Sequence, residues 1–277
     1  MARGAPARVQ TTTALARTIR ADALRMVHRA NASHIGSCLS MADLLAVLYA
    51  GVLRMDPTRP DWPERDRFLL SKGHAAAIAY AVLAEVGYFP LDWLDTYCQD
   101  GSKLAGHLTY GVPGVELSTG SLGHGLPVGC GMALAAQRDG ASYRVFVMLS
   151  DGELDEGSNW EAILFAPHQR LEQLIAIVDY NKIQSFGSVA EVLPLDPLAA
   201  KWRAFGWAVR EVDGHDHAQL AETLGALPFE PGKPSAIIAH TIKGKGVSFM
   251  EGQLAWHYKP PNAEQLAQAL AELGVDA

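Results

Sequence analysis

Two strand-like segments, each ending in a residue that supplies oxygen ligands, constrain the fold of this sequence more than any other feature. Residues 143–149 form an apolar run that ends in a turn at Asp151, and residues 174–178 form a second run that leads to Asn181. The 155–169 stretch between them has the apolar spacing of a helix. A strand, a helix and a strand in this order predict two parallel strands, so we expect Asp151 and Asn181 side by side at one edge of a sheet.

The oxygen atoms at this edge suit a hard divalent cation. Asp151 offers a carboxylate, Asn181 an amide oxygen and Ile183 a backbone carbonyl, and Mg²⁺ or Ca²⁺ accepts such donors while keeping phosphate oxygens in its shell. Gly152 has no side chain, so the backbone there can approach phosphates closely. These residues predict a metal-anchored diphosphate site. The alternative is an ordinary turn with a solvated Asp151, which the dipeptide Asp-Gly alone favours.

The rest of the chain alternates between helical and strand-like patterns. Strands are predicted near 67–71, 143–149, 174–178, 207–212 and 235–240, and helices near 12–30, 41–53, 74–87, 91–99, 155–169, 217–227 and 262–273. A long glycine-rich loop is expected at 105–125. This alternation predicts an α/β fold, a parallel sheet flanked by helices on both faces, with ligands at the carboxyl ends of the strands. We expect residues 1–277 to form a single domain and residues 1–11 to be a disordered tail.

At the Asp151 and Asn181 segments the chain resembles the thiamine diphosphate enzymes, whose fingerprint is Gly-Asp-Gly followed at this spacing by Asn; Ser150 replaces the first glycine. From about residue 12 to residue 262 it is similar to transketolase, because five further motifs follow the order of that family. They lie at 32–43 (Ala-Ser-His-Ile-Gly-Ser, then Ser-Met-Ala-Asp), 68–75 (Phe-Leu-Leu-Ser-Lys-Gly-His-Ala), 106–107 (Gly-His), 113–125 and, as the last set, 241–246 with 256–257. Departures from the family pattern occur at Ile35, Ser121 and His124.

The resemblance implies a catalytic role for four histidines, which lie in glycine-containing loops where polar groups can converge on a ligand. His74 and His257 would contact the diphosphate end of the cofactor, and His34 and His107 the hydroxyls of a ketose donor. A neutral-pH imidazole can donate or accept a proton, which suits this task. Five other histidines are expected to be hydrogen-bonded core residues: His28, His168, His215, His217 and His240.

The same resemblance implies the ligands of thiamine diphosphate and of its Mg²⁺ or Ca²⁺ ion. Asp151, Asn181 and Ile183 would hold the metal. Residues expected to bind the cofactor are His74, Gly120, Leu122, Gly152, Asn181, Lys243 and His257. Gly120 and Leu122 would line the path of the cofactor's two rings. For Lys243, a phosphate-facing cation and a solvated loop lysine are both open interpretations.

Length implies a partner chain. The 277 residues suffice for one α/β domain, whereas transketolase continues through a pyrimidine-binding and a C-terminal domain. In that family a glutamate that activates the cofactor comes from the pyrimidine-binding domain of another subunit. We therefore expect a partner subunit carrying those domains, an A2B2 hetero-oligomer, and no activity for this chain alone. Glu156 and Glu161 match carboxylates that transketolases bury at the subunit interface.

Three functions follow from these residues. The leading one is transfer of a two-carbon ketol unit from a ketose or ketose phosphate to an aldose. A second is a thiamine-dependent, decarboxylating transferase that acts on pyruvate or another 2-oxo acid, against which His34 and His107 argue. A third is a non-catalytic regulator, which would be expected to lack residues such as Asp151 and Asn181.

Composition limits the partners further. A net charge of −7, without a basic cluster that interleaves aromatic residues, argues against nucleic acid. No apolar run approaches the ~20 residues of a membrane span, so we expect no membrane association and a cytoplasmic location. The three cysteines are scattered and predict reduced thiols.

Overall fold

A computed structural model describes residues 11–276, which contain one five-stranded sheet. Its strands are β1 (Arg67–Leu70), β2 (Val145–Ser150), β3 (Leu174–Tyr180), β4 (Ala208–Asp213) and β5 (Ser235–His240). Their spatial order is β1-β2-β3-β5-β4, and every neighbouring pair is parallel. All five strands lie where the sequence predicts them, and the parallel α/β fold is confirmed.

Helices cover both faces of the sheet. They are α1 (Thr12–Ala30), α2 (Ile35–Ser40), α3 (Ala42–Val47), α4 (Ala76–Glu85), α5 (Gly125–Asp139), α6 (Gly157–His168), α7 (Val189–Val192), α8 (Leu198–Ala204), α9 (His217–Gly225) and α10 (Ala263–Glu272). Short 3-10 helices lie at Gly73–Ala75, Leu91–Thr96, Gly152–Asp155 and Leu254–His257, and a π-helical turn lies at Leu48–Val52. None of the helices within residues 11–276 combines the length and apolar character needed to cross a membrane.

Alternating side chains of β2 show why the sheet needs two helical layers. Phe146 and Met148 point into a core formed with α1, α2, α3, α4, α9 and α10. Val145, Val147 and Leu149 point into a second core formed with α5, α6 and α8. Burying one such side chain contributes about 1.5–3 kcal/mol, so a strand that is apolar on both faces is stable only between two layers.

Helix α1 begins at a side-chain cap. The hydroxyl of Thr11 accepts a hydrogen bond from the backbone N–H of Ala14 at 3.2 Å, and the helix ends at Asn31, whose φ of 49° is left-handed. The predicted disordered tail lies outside the described residues except for Thr11. Helix α10 begins with a capping box in which Asn262 and Gln265 each bond the other's backbone.

Some helices differ from the prediction. The helix expected at 41–53 is α3 followed by the π-helical turn, and the one expected at 91–99 is the 3-10 helix Leu91–Thr96. Sequence reasoning assigned no helix to α2, α5, α7 or α8. Helices α2 and α5 carry glycines that pack closely against neighbours, and this tertiary packing outweighs the low helix propensity of glycine.

Candidate active site

The carboxyl edge of the sheet opens into a cavity of about 530 Å³. It is formed by the segments that follow β1, β2, β3 and β5, together with loops that precede α2 and α5. Every site residue predicted from the sequence lines this cavity: His34, His74, His107, Gly120, Leu122, Asp151, Gly152, Asn181, Ile183, Lys243 and His257. The structure thus brings together residues from six separate parts of the chain.

Asp151 joins the ends of two neighbouring strands. Its Oδ1 accepts a hydrogen bond from the backbone N–H of Gly152 at 2.7 Å, and its Oδ2 accepts one from the N–H of Lys182 at 2.6 Å. Asn181 follows β3, and its Oδ1 accepts the N–H of Ile183 at 3.2 Å. The parallel pairing of Ser150 with Asp179 sets this arrangement, so Asp151 and Asn181 are neighbours as the sequence predicts.

The chemistry of this donor set fits a divalent cation. Burial, and then the negative charge of Asp179, raises the pKa of Asp151 to about 6, so a cation beside the carboxylate would favour its charged form. Within residues 11–276 no group of three His, Cys, Asp or Glu side chains forms a metal cluster. The protein's share would instead be one carboxylate, one amide and one carbonyl, which would leave coordination positions for diphosphate oxygens.

Lys243 is buried rather than solvated, with 2% of its surface exposed. Its Nζ donates to the carbonyl oxygen of Ile183 at 2.8 Å and lies 3.0 Å from Nδ1 of His257. Burial lowers the pKa of Lys243 to about 8, while the charge of Asp151 opposes this shift. The interpretation as a solvated loop lysine is therefore wrong, and the ammonium contacts the carbonyl oxygen of Ile183 inside the cavity.

Four histidines form a cluster around His34. Its ring centroid lies 5.1 Å from those of His74 and His257 and 6.0 Å from that of His107. His34 has a φ of 74°, in the left-handed region that non-glycine residues rarely adopt. Its N–H donates to the carbonyl of His257 at 2.9 Å, and this bond helps to hold the strained backbone at the start of α2.

Three of the four clustered imidazoles, those of His34, His74 and His257, are neutral at neutral pH. Burial, followed by the charge of His107, lowers the pKa of His34 to about 4. Burial and the nearby Lys243 lower that of His257 to about 3, and burial with Lys72 keeps that of His74 well below its ordinary value. Each ring therefore offers one donor and one acceptor nitrogen to a bound polar molecule.

Glycines permit close contacts inside the cavity. A Cβ atom at Gly120 would lie 2.9 Å from the ring of His107, so only glycine leaves that ring in place. A Cβ at Gly152 would lie 3.3 Å from the side chain of Gln184, a buried residue that also lines the cavity. Ser37 on α2 lies 3.1 Å from Nε2 of His74 and orients that ring.

Sequence reasoning missed a buried ion pair beneath the cavity. Lys72 and Asp179 form a salt bridge with both side chains fully buried, and Lys72 also donates to the carbonyl of Ser37 at 3.0 Å. Asp179 further accepts hydrogen bonds from Ser40 and Thr241. The signal was present, because Lys72 follows β1 and Asp179 lies near the end of β3, at the same sheet edge as Asp151.

Three glutamates near the site differ in exposure. Glu153 is fully buried and accepts the N–H of Gly123 at 2.9 Å, a contact that sequence reasoning also missed. Glu156 and Glu161 are exposed in this single chain, and Glu156 lines the cavity. Burial of these two carboxylates against a second subunit stays a prediction.

The fold and the site together define an α/β domain whose cavity, at the carboxyl edge of the sheet, is suited to a diphosphate-bearing ligand. The family described as "Transketolase, thiamine diphosphate binding domain" matches residues 11–277. The chain therefore belongs to the transketolase family.

Relatives of two kinds support this assignment. The chain is 44% identical over 259 residues to the 6-deoxy-6-sulfo-D-fructose transketolase subunit of a Clostridium species, with 93% of this chain and 94% of that protein covered. It is 48% identical over 242 residues to an apulose-4-phosphate transketolase subunit of Actinobacillus succinogenes, with 87% of each chain covered. Its structure superposes on transketolase from Leishmania mexicana with a TM-score of 0.91 at 35% identity, covering 96% of this chain and 42% of that chain.

Family membership confirms the predicted thiamine diphosphate-binding domain and the leading interpretation of a ketol-transferring enzyme. The roles given to individual site residues stay predictions.

Proposed function

We propose that this chain is the diphosphate-binding subunit of a two-chain transketolase. It would hold thiamine diphosphate with Mg²⁺ or Ca²⁺ and, with a partner subunit, move a two-carbon ketol unit from a ketose or ketose phosphate to an aldose. The observation that supports this most is the convergence of the oxygen donors around Asp151 with a cluster of four histidines in one cavity. A decarboxylating enzyme has less need of a histidine cluster aimed at sugar hydroxyls.

The residues divide between two ends of the cavity. Asp151, Asn181 and the carbonyl of Ile183 would hold the metal, and through it the diphosphate. His74, His257 and Lys243, with the bare backbone of Gly152, would contact the diphosphate directly. When bound, thiamine diphosphate supplies the nucleophilic carbon and electron sink that cleavage of a ketose carbon–carbon bond requires. Gly120 and Leu122 would flank its two rings.

His34 and His107 would act on the donor sugar. Because His34 is neutral and lies centrally among the four rings, one ring nitrogen can accept a hydrogen bond from a sugar hydroxyl while the other donates one to a second group. His107 is exposed at the cavity, and its backbone carbonyl is held by the hydroxyl of Tyr80 at 3.0 Å. The two imidazoles would orient the ketose and exclude water from its reacting end.

Two similar proteins are named as transketolase subunits, which supports a separate partner chain for this one. We propose an A2B2 assembly in which the partner carries the pyrimidine-binding and C-terminal domains. Helix α6 exposes Leu164 and Phe165, which are suitable apolar contacts for such an assembly. A cytoplasmic location stays a prediction.

The test combines the purified chain with its partner, thiamine diphosphate and Mg²⁺. Ketol transfer is followed from a xylulose-phosphate-like donor to an aldose acceptor, and pyruvate is offered in parallel. We expect an aldose lengthened by two carbons and negligible turnover of pyruvate. Robust release of CO₂ from pyruvate without ketol transfer would support the decarboxylating enzyme instead, and binding without turnover of either substrate would support the regulator.

A further inference from the structure

A buried carboxylate outside the cavity gathers three basic side chains. Asp43 on α3 accepts a bidentate contact from Arg20 at 2.9 and 2.6 Å. It also contacts Nδ1 of His215 at 2.7 Å and Nε2 of His217 at 3.0 Å. These groups come from α1, α3, and the turn between β4 and α9, so one carboxylate ties three parts of the fold together.

The hydrogen bonds of His215 fix its protonation. The backbone N–H of Ile242 donates to Nε2 of His215 at 2.9 Å, so Nε2 must carry a lone pair and the ring proton must lie on Nδ1. That proton is donated to Asp43. His215 thus forms a bridge from a buried carboxylate to the backbone of the segment that follows β5.

Burial alone would raise the pKa of Asp43, but hydrogen bonds from His215 and Arg20 hold it well below its ordinary value. The carboxylate is therefore a permanent acceptor, and the charge of Arg20 balances it. Asp43, the carboxylate end of the bridge, therefore stays ionised at neutral pH.

The segment held by this bridge carries Lys243 into the cavity. Lys243 directly follows Ile242, and its Nζ donates to the carbonyl of Ile183, the proposed metal ligand. Its stem packs against Gly36 of α2, where an added Cβ would lie 3.1 Å from the lysine Cγ. The N–H of Gly244 donates to the carbonyl of Gly36 at 2.9 Å, so the backbone is held on both sides of Lys243.

We propose that His215 is a positioning residue for Lys243. By accepting a hydrogen bond from the N–H of Ile242, His215 fixes where the backbone turns into the cavity. This fixes the position of the Lys243 ammonium group. This inference rests on the proposed function, because the importance of Lys243 depends on a diphosphate being bound there. Without the bridge, the Ile242 N–H loses its acceptor and the segment shifts. The contact between the Lys243 ammonium and the cofactor diphosphate is then weaker.

His217 provides a matched control. It contacts the same carboxylate through Nε2, but its Nδ1 is buried without a hydrogen-bond partner in the described part of the chain. A His217→Ala variant removes an Asp43 contact without touching the bridge to Ile242. His215→Gln is the conservative variant, because one amide can both donate to Asp43 and accept from Ile242.

The experiment measures thiamine diphosphate affinity by calorimetry in the two-chain complex with Mg²⁺, beside the thermal unfolding midpoint. Supporting partners of a ligand site typically contribute about 10–100-fold in affinity, so we expect His215→Ala to raise the cofactor Kd about 10-fold. His215→Gln should recover most of that loss. His217→Ala should lower the unfolding midpoint while leaving the Kd within about twofold.

A double-mutant cycle with Lys243→Met tests whether His215 acts through the lysine. In the Lys243→Met background, His215→Ala should leave the Kd unchanged, because the group it positions is absent. An equal effect of His215→Ala in both backgrounds, or equal Kd losses for His215→Ala and His217→Ala, would show a purely structural role and overturn the inference. Should His215→Ala not fold, His215→Asn, whose amide is too short to bridge both partners, takes its place. Wild-type complex that fails to bind thiamine diphosphate would instead contradict the proposed function.

Discussion

At the scale of single residues, Asp151 is the group on which the proposed cofactor site most depends. Its carboxylate is 2% exposed and receives two backbone N–H groups, so its position is fixed before any ligand arrives. Replacing it with alanine removes the only proposed charged metal ligand. We expect Asp151→Ala to abolish metal-dependent binding of thiamine diphosphate, measured by titration calorimetry on the two-chain complex. Asp151→Asn should bind weakly, because the shape is kept but the charge-assisted ligand is lost.

Asp155 is the control for this prediction. It also lines the cavity and carries the same charge, but it lies outside the proposed metal set and is exposed. Asp155→Ala should keep cofactor affinity within about twofold, since an exposed charge contributes little. Unchanged cofactor affinity in Asp151→Ala, with the fold intact by circular dichroism, would remove Asp151 from the metal site.

The second prediction concerns the donor histidines. His34 has a left-handed backbone, which asparagine tolerates better than alanine, so His34→Asn is the cleaner variant. Each of His34→Asn and His107→Asn should lower kcat/KM for a ketose donor roughly 5- to 150-fold, which corresponds to a loss of about 1–3 kcal/mol in transition-state stabilisation. The cofactor Kd should stay nearly constant. Steady-state kinetics and calorimetry measure the two quantities separately.

Gly120 offers an independent check on His107. Gly120→Ala places a methyl group 2.9 Å from the His107 ring and must displace it without changing its chemistry. Its kinetic defect should therefore resemble that of His107→Asn. If both His107→Asn and Gly120→Ala turn over the ketose normally, His107 does not contact the donor.

Two of the residues that line the cavity were accessible from the sequence for a physical reason, whereas the histidines, Gly120, Leu122 and Lys243 were assigned through the family resemblance. Asp151 and Asn181 follow apolar strands, and parallel strands end at a common edge, so their meeting follows from the pattern alone. The Lys72–Asp179 pair carried the same signal, because both residues lie at the ends of predicted strands, but it was missed. A lysine between serine and glycine looks like a loop residue, and the pattern does not show that its side chain is buried against a partner 107 positions away.

At the scale of elements, the strands were predictable, whereas helices α2, α5, α7 and α8 were not. The strands are apolar on both faces and short, as expected between two helical layers. Helix α2 has six residues and begins after His34, whose backbone is left-handed and whose side chain makes no capping hydrogen bond. Its sequence therefore lacks the start signal of a helix and looks like a glycine-containing loop. Helix α5 carries glycine at 125, 129 and 131 and a proline at 127, and its stability comes from packing on β2.

Two glycines of α5 give opposite predictions for the same substitution. A Cβ at Gly129 would lie 2.6 Å from Cγ2 of Val147 on β2, whereas nothing lies within 4 Å of one at Gly131. Overpacking costs about 1–3 kcal/mol, so Gly129→Ala should lower the free energy of unfolding by about 1–2 kcal/mol. Gly131→Ala should raise it by about 0.5–1 kcal/mol through helix propensity. Urea unfolding of the isolated chain measures both, and equal effects would contradict the packing of α5.

Asp22 on α1 gives a pH prediction. Burial, and then the charge of Glu85, raises the pKa of Asp22 from 3.8 to about 6, while Arg25 at 3.5 Å only partly compensates. The folded state binds this proton more tightly than the unfolded state, so the stabilisation is present below pH 4 and is lost as the pH rises past about 6. At about 1.4 kcal/mol per pKa unit the change approaches 3 kcal/mol.

Asp22→Asn removes this titration. We expect the variant to be more stable than wild type by about 1–2 kcal/mol at pH 7.5, once the lost Arg25 contact is counted, and to show no advantage at pH 4. The measurement is urea unfolding at a series of pH values. A stability difference that does not change between pH 4 and pH 7.5 would contradict the shifted pKa.

At the scale of the whole molecule, the proposed function makes the cavity one half of an active site. The described cavity presents oxygen donors, histidines and a lysine, all suited to a diphosphate and to sugar hydroxyls. At its mouth Phe186 is 84% exposed, and Leu164 and Phe165 are exposed on α6. Exposed apolar side chains of this size are common where subunits meet.

The last prediction concerns assembly, because the proposed site holds only one end of its cofactor. The chain alone should bind thiamine diphosphate weakly and show no ketol transfer. Adding the partner should raise cofactor affinity and turnover together, since one interface would supply both the remaining contacts and the activating glutamate. Titration of the partner into a fixed amount of this chain should saturate both signals at equal molar amounts, with a mass of two copies of each by light scattering. Asp151→Ala chain serves as the control, because it should assemble normally yet stay inactive. Appreciable turnover by the chain in the absence of any partner would contradict the two-chain enzyme.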